Sequence, residues 1–422
     1  MTCFRLTASM AKTSQTAIAE SQFRSDTPAT GVVVINQHGD NRGDEAAMRA
    51  MITHLSEGLP DAQFTIVHQF SDPRSQVDLD VPVEYIDIRP SVVEALRLSL
   101  FAALSSLRIP WDGVLGRHGR MVVDRYRAAQ LVISAPGGPY FGDMYANHEV
   151  VHWFYVWLAH LLNRRLFLYA PSAGPFENKL LNPLRRRAFR WFDAVTLRDP
   201  FSAEYLRGLM GDKFEVEVTA DSALQDLTDE TGPEESESFT LAVSVRDPGP
   251  EIRDEYESAV LSAIEAVSEA QPTQVVFLPQ LHGPRHKDQP YLETIAAQIK
   301  GAQWVRVESG DDLDSREHRR IISEADLVIA GRYHPAVFAI ASRTPVLVIP
   351  YEHKAWGVAR QAGIEHWTVD LSEARGDRLA TTMKDLLTRS EEVKKIMNER
   401  VHELRQLSLR TTEIALDLIG RT

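Results

Sequence analysis

The chain has 422 residues, of which 44 % are hydrophobic and 25 % charged. That is an ordinary globular balance, which excludes global disorder and a single small module. Its 59 acidic residues outnumber 46 lysines and arginines, for a net charge of −13, the wrong sign for neutralising a nucleic-acid backbone. The one cysteine, Cys3, leaves no intramolecular disulfide or thiolate zinc cluster and fits a reducing cytoplasm.

Residues 1–30 are rich in Ser, Thr and Ala without a sustained apolar stretch, so they read as a flexible N-terminal tail rather than a secretory signal. The first firm element is Gly31-Val-Val-Val-Ile-Asn36, a β-branched run without alternation, as in a parallel strand covered on both faces. Similar runs begin at Leu131, Leu166 and Ala194, separated by helical spacing over Val150–Leu162 and Leu184–Phe192. The Val150–Leu162 run is too short to cross a bilayer. Residues 31–226 therefore predict one Rossmann-like domain. Residues 227–238 continue an acidic stretch with a Gly-Pro step and read as a linker. Strand runs resume at Thr240, Gln274, Trp304, Leu327 and Val346, so 239–422 predicts a second Rossmann-like domain across a cleft. Its last stretch, Glu391–Leu418, has helical spacing suited to packing back across the first domain.

In open α/β sheets ligands bind beyond the carboxyl ends of the strands, so the loops there carry the chemistry. After the first strand comes Asn41-Arg-Gly-Asp44-Glu45, which opens a helix; its carboxylates either orient a ligand's hydroxyls or merely complement the helix dipole. The next loop, Gly137-Gly138-Pro-Tyr140-Phe-Gly-Asp143, lets backbone approach a ligand and offers aromatic faces for a sugar ring. Single cations follow several strands: Arg198, Arg246, Arg332 and Lys354. In an acidic protein, cations at buried strand ends suggest an anion site, although Arg198 also has Asp199 and Asp221 as candidate partners. His334 precedes Pro335, a residue favoured at the first helical position, which would set the imidazole at a helix N-terminus with a pKa near neutrality once a polyanion is bound. His148-Glu149-Val-Val-His152 matches the H-E-x-x-H zinc signature. It lacks a third ligand at metzincin spacing and sits in the wrong fold pattern, so no metal is expected.

Asn41-Arg-Gly-Asp44-Glu45, Gly137-Gly138, Gly174-Pro175, Val195-Thr-Leu-Arg198-Asp199 with Asp221, Arg332-Tyr-His334, and Tyr351-x-x-Lys354 together resemble the polysaccharide pyruvyl transferase family over about residues 31–370. The resemblance implies an α/β protein of two Rossmann-like domains in a GT-B-like arrangement with an interdomain cleft. It implies transfer of the enolpyruvyl group of phosphoenolpyruvate onto two hydroxyls of a sugar, as a ketal, with release of phosphate and no redox cofactor or metal. His334 would then be the acid that protonates the donor. Arg198, Arg332 and Lys354 would clamp its carboxylate and phosphate, with Arg246 a further candidate. Asn41, Asp44, Glu45, Gly137, Gly138, Tyr140 and Asp143 would face the acceptor, and a lipid-linked acceptor would bring the protein to the membrane periphery without a spanning segment. Tyr333 and Pro335 depart from the family pattern. Two other readings remain open on the residues alone: a GT-B glycosyltransferase using a nucleotide sugar, and a non-catalytic anion- or glycan-binding protein.

Overall fold

The computed structural model describes residues 30–70, 72–88, 91–162, 164–227, 239–284 and 287–420. The expected tail except Thr30, and all of the acidic linker except Leu227, lie outside the described residues. The first lobe begins with β1 (Gly31–Gln37), α1 (Arg42–Gly58), β2 (Gln63–His68), β3 (Val83–Asp87), α2 (Val92–Ser106), α3 (Arg117–Ala128) and β4 (Ala129–Ser134). It continues with β5 (Gly137–Phe141), α4 (Ala146–Leu161), β6 (Arg165–Leu168), β7 (Pro171–Ala173), α5 (Asn182–Phe189), β8 (Ala194–Leu197), α6 (Pro200–Met210) and β9 (Glu217–Val218). Seven strands form one parallel sheet in the order β3-β2-β1-β4-β6-β8-β9, and β5 pairs with β7 beside it. The apolar run of β1 is buried on both sides, Val33 and Ile35 in one core and Val32 and Val34 in the other, which is why it shows no alternation.

The second lobe holds β10 (Phe239–Ser244), α7 (Arg253–Ser268), β11 (Thr273–Phe277), α8 (Gln289–Ala296), β12 (Trp304–Val307), α9 (Ser315–Ser323), β13 (Leu327–Ala330), α10 (Tyr333–Ser342), β14 (Val346–Val348), α11 (His353–Ala362) and α12 (Arg378–Thr388). Its five parallel strands run in the order β12-β11-β10-β13-β14. The strand order reverses at β1/β4 in one sheet and β10/β13 in the other, and a crevice opens beyond the carboxyl ends of the strands at such points.

The last helix, α13 (Ser390–Gly420), spans both lobes. Val393, Met397 and Leu404 enter the second core, whereas Ala415, Leu418 and Ile419 pack with Val32 and Leu131 of the first. Polar groups fix its position: Tyr169 and Thr412 share a 2.6 Å hydrogen bond, and the Gln225 amide donates to both and to the Ser408 carbonyl.

A second tie between the lobes lies at the start of α1. Glu45 accepts from the Ser315 N–H and hydroxyl across the cleft while pairing with Arg42 at 2.8 Å and Arg49 at 3.2 Å. Arg42 in turn donates to the Gly310 carbonyl, and Asn41 bridges Leu281.

Candidate active site

Asn41 caps α1, its side-chain oxygen accepting the Gly43 N–H at 2.9 Å and the Gln280 amide at 2.7 Å. This cap sets Gly43 against the second lobe, where a Cβ would lie 1.8 Å from His334 Nδ1. Only a hydrogen leaves room for the imidazole. His334 sits in the first turn of α10, for which Arg332 is the N-cap residue. Helix α10 starts two residues earlier than Pro335 suggests. The proline is tolerated in the first turn because the amide hydrogens there have no intrahelical acceptor.

Asp44, Arg198, Arg332, Tyr333, His334 and Lys354 line one compartment of about 270 Å³ between the lobes, with Gly138 and Tyr351. Arg198 is 1 % exposed. Its Nε donates to the Ser172 hydroxyl at 2.9 Å and one Nη to Asp221 at 2.6 Å, and its guanidinium stacks 4.3 Å from the Tyr333 ring centre. The other Nη is buried and has no hydrogen-bond partner among the described residues. A buried guanidinium N–H without an acceptor is costly, and an anionic oxygen in the compartment would satisfy it. Arg332 is braced by Asp288, whose other oxygen accepts the Gln280 and Leu281 N–H groups. Lys354 pairs with Glu352 at 2.6 Å and lies 5.8 Å from the Tyr333 ring.

Burial, above all, and then the fields of Arg198 and Lys354 push the His334 pKa down to about 3 despite Asp221, 3.8 Å from its Nε2. The proximity to neutrality read from the sequence is thus absent from the protein's own groups, because burial outweighs the carboxylate. An anion placed between His334 and the two cations would reverse that balance. Asp44 is raised to about 6, chiefly by burial, with Arg198 and Lys354 opposing the rise and Asp221 adding to it. Asp221 stays low because Arg198 and His334 outweigh its own burial. The compartment therefore sets an imidazole and a carboxyl of unlike titration beside three cations, a combination suited to moving protons around a bound anion.

A second compartment of about 310 Å³ opens from the first and shares His38, Gly39, His152 and Leu281 with it. Five histidines line it: His38, His68, His148, His152 and His282. Burial lowers His38 well below its ordinary value, helped by His152 and His148, and lowers His282 to about 4, helped by Arg42. Neutral imidazoles both donate and accept and present flat apolar faces. His38 and His282 thus offer this half of the cleft hydrogen bonds without cationic charge.

The sequence of residues 41–353 matches the family described as polysaccharide pyruvyl transferase. The chain belongs to that family. It is 24 % identical over 418 residues to the amylovoran biosynthesis protein AmsJ of Erwinia amylovora, covering 92 % of this chain and 99 % of that protein. In fold it is similar to a glycosyltransferase from Rickettsia africae, with a TM-score of 0.56, 13 % identity and coverage of 93 % and 99 % of the two chains. It is also similar to the UDP-GlcNAc 2-epimerase of Neisseria meningitidis, crystallised with UDP-GlcNAc, with a TM-score of 0.56, 11 % identity and coverage of 93 % and 100 %. The two-domain GT-B-like architecture follows from these neighbours, and a polysaccharide-modifying transferase follows from the family and AmsJ.

Among the residues expected at the site, Arg198, Arg332, His334, Lys354, Asn41, Asp44 and Gly138 meet in the cationic compartment. Gly137 lies beside it at φ 141°, a backbone turn that favours glycine. Arg246 stands at the rim, stacked 4.2 Å from the Tyr351 ring. Glu45 and Asp143 require correction. Glu45 turns into the seam between lobes, because two arginines and Ser315 claim its oxygens. Asp143 accepts the Glu177 and Asn178 N–H groups and pairs with Arg185 at 2.8 Å, bracing a loop away from the cleft. The side chain of Tyr140 lies outside the described residues. In the zinc-like motif, Glu149 is locked to buried Arg185 at 2.6 Å and accepts the Gly142 N–H. The glutamate is a buried counter-ion, and no group of three potential ligands among the described residues has metal-binding geometry.

Sequence reasoning missed Gly43, Asp288 and the histidine compartment. His38 follows β1 and His68 ends β2, and the carboxyl-end rule would have flagged His68 had β2 been recognised. Tyr333, a departure from the family pattern, is the platform under Arg198.

Proposed function

We propose that this transferase moves the enolpyruvyl group of phosphoenolpyruvate onto two hydroxyls of a sugar in a polysaccharide or its precursor. The observation that carries this reading is the unpartnered Nη of Arg198, buried in a compartment that also gathers Arg332, Lys354, His334 and Asp44. Phosphoenolpyruvate brings a carboxylate and a phosphate within a small volume. A cationic space of about 270 Å³ sets Arg198, Arg332 and Lys354 around such a pair of anions. The neighbouring histidine compartment is the acceptor's in this reading, since the uncharged imidazoles of His38 and His282 suit neutral hydroxyls.

The chemistry then runs as follows. Charge from the donor raises His334, whose Nε2–H protonates the methylene carbon and leaves C2 electrophilic. One acceptor hydroxyl bonds to C2 and its proton passes to Asp44. The C2–O bond to phosphate breaks, the phosphate leaves between Arg198 and Lys354, and the second hydroxyl closes the ketal, returning a proton to His334. Two hydroxyl protons are lost, one replacing that spent on the methyl group and one leaving with phosphate.

The test is acceptor-dependent phosphate release from phosphoenolpyruvate by purified protein. His334→Gln should abolish release while keeping donor affinity within about tenfold, ~1.4 kcal/mol, whereas Arg198→Gln should weaken donor binding itself. Turnover by the His334→Gln protein removes that residue as the acid.

A further inference from the structure

Helix α2 carries two apolar stripes. Leu98, Phe101 and Ala102 face the core, as an amphipathic helix requires. Val92, Val93, Leu96 and Leu100 form a second stripe, roughly 100° wide at 100° per residue, on the opposite side. There Val92 is 76 % exposed, Leu96 65 % and Trp111, in the turn beyond the helix, 62 %. Leu107, Ile109 and Met121 extend this surface, so eight of the fourteen large exposed apolar residues among those described fall between 92 and 121. The same segment holds four arginines against two acidic residues in a chain of net charge −13. Arg97 pairs with Glu94, and Arg127 of α3 claims Asp112, but Arg108, Arg117 and Arg120 are exposed and make no ion pair among the described residues.

We infer that α2, the turn after it and the outer face of α3 dock on an anionic lipid bilayer. Apolar side chains with a tryptophan would enter the interface while the unpaired arginines meet lipid phosphates. The position of this surface gives the docking a purpose. Ile88, four residues before α2, lines the histidine compartment; so does Val151 of α4, which packs on α2, and its neighbour Val150 is exposed. The membrane would thus lie at the acceptor's entrance, where a lipid-linked sugar arrives. The surface stands independently of the donor's identity.

The test is co-sedimentation of the full chain with phosphatidylcholine vesicles, with and without phosphatidylglycerol. The wild type should bind the anionic vesicles and lose affinity as salt rises. Arg108→Gln/Arg117→Gln/Arg120→Gln should weaken binding by roughly fivefold per arginine, and Leu96→Gln/Leu100→Gln/Trp111→Gln by on the order of 100-fold. Both sets alter exposed positions, and unchanged melting and phosphate release with a water-soluble acceptor would confirm the fold. Failure to bind either vesicle overturns the proposal, as does equal binding by the arginine variant. Light scattering that shows a dimer dissociated by the apolar variant would assign the surface to a second copy instead.

Discussion

Gly43 offers a sharp test of the architecture, because its backbone is helical and should welcome a side chain. In the first turn of α1, alanine is favoured over glycine by about 1 kcal/mol on backbone grounds. Against this, a Cβ at Gly43 would lie 1.8 Å from His334 Nδ1 and 1.9 Å from its Cγ, where ordinary contact begins at 3.4 Å. The imidazole must therefore retreat by more than about 1 Å, a displacement of the size that costs on the order of 100-fold in turnover when it moves a reacting group. Overpacking should cost a further 1–3 kcal/mol of stability, roughly cancelling or exceeding the helix gain. Gly43→Ala should fold, bind phosphoenolpyruvate within about tenfold of wild type, and release phosphate at least ~100-fold more slowly. Wild-type turnover in this variant would show that His334 need not occupy the position described.

Asp44→Asn tests the raised carboxyl. The folded pKa of about 6 lies above the ordinary 3.8, so the folded protein binds this proton more tightly and loses stability as pH rises from 4 through 6. The variant escapes that loss: it should be more stable than wild type at pH 8 by up to about 3 kcal/mol, with no advantage at pH 4, and nearly inactive. Denaturation at the two pH values reads the difference, and equal stability at pH 8 would contradict the burial argument. Glu45→Gln leaves Arg42 and Arg49 without their shared counter-ion at the lobe seam and should cost about 3 kcal/mol in chemical denaturation. Glu149→Gln should likewise lower stability by releasing Arg185, while metal analysis of the purified wild type finds no stoichiometric zinc and chelator leaves phosphate release unchanged; inactivation by chelator would revive the zinc reading.

The legible part of the fold was the doubly covered part. Val32–Ile35, Leu131–Ile133 and Leu327–Ile329 are continuous apolar runs because both faces of their strands are buried. Strands β2 and β3 were harder to see: Gln63-Phe-Thr-Ile-Val-His68 and Val83-Glu-Tyr-Ile-Asp87 mix polar residues into short strands near or at the sheet edge. At the site, cations after strands could be placed because the chain ends of parallel strands share one edge. Whether a carboxylate faces the cleft or a neighbouring lobe depends on contacts hundreds of residues away. Asp44 and Glu45 are adjacent in sequence, yet one lines the compartment and the other holds Ser315. Nor does any local pattern announce that five histidines from distant segments converge.

The central claim is that the cationic compartment holds a small carboxylate- and phosphate-bearing donor. Calorimetric titration of the purified protein with phosphoenolpyruvate and, separately, with UDP-GlcNAc tests it most directly. Saturable binding of phosphoenolpyruvate that is lost in Arg198→Gln, with no binding of UDP-GlcNAc, is the predicted result. Binding of UDP-GlcNAc without phosphoenolpyruvate would contradict it and redraw Arg198, Arg332 and Lys354 around a diphosphate.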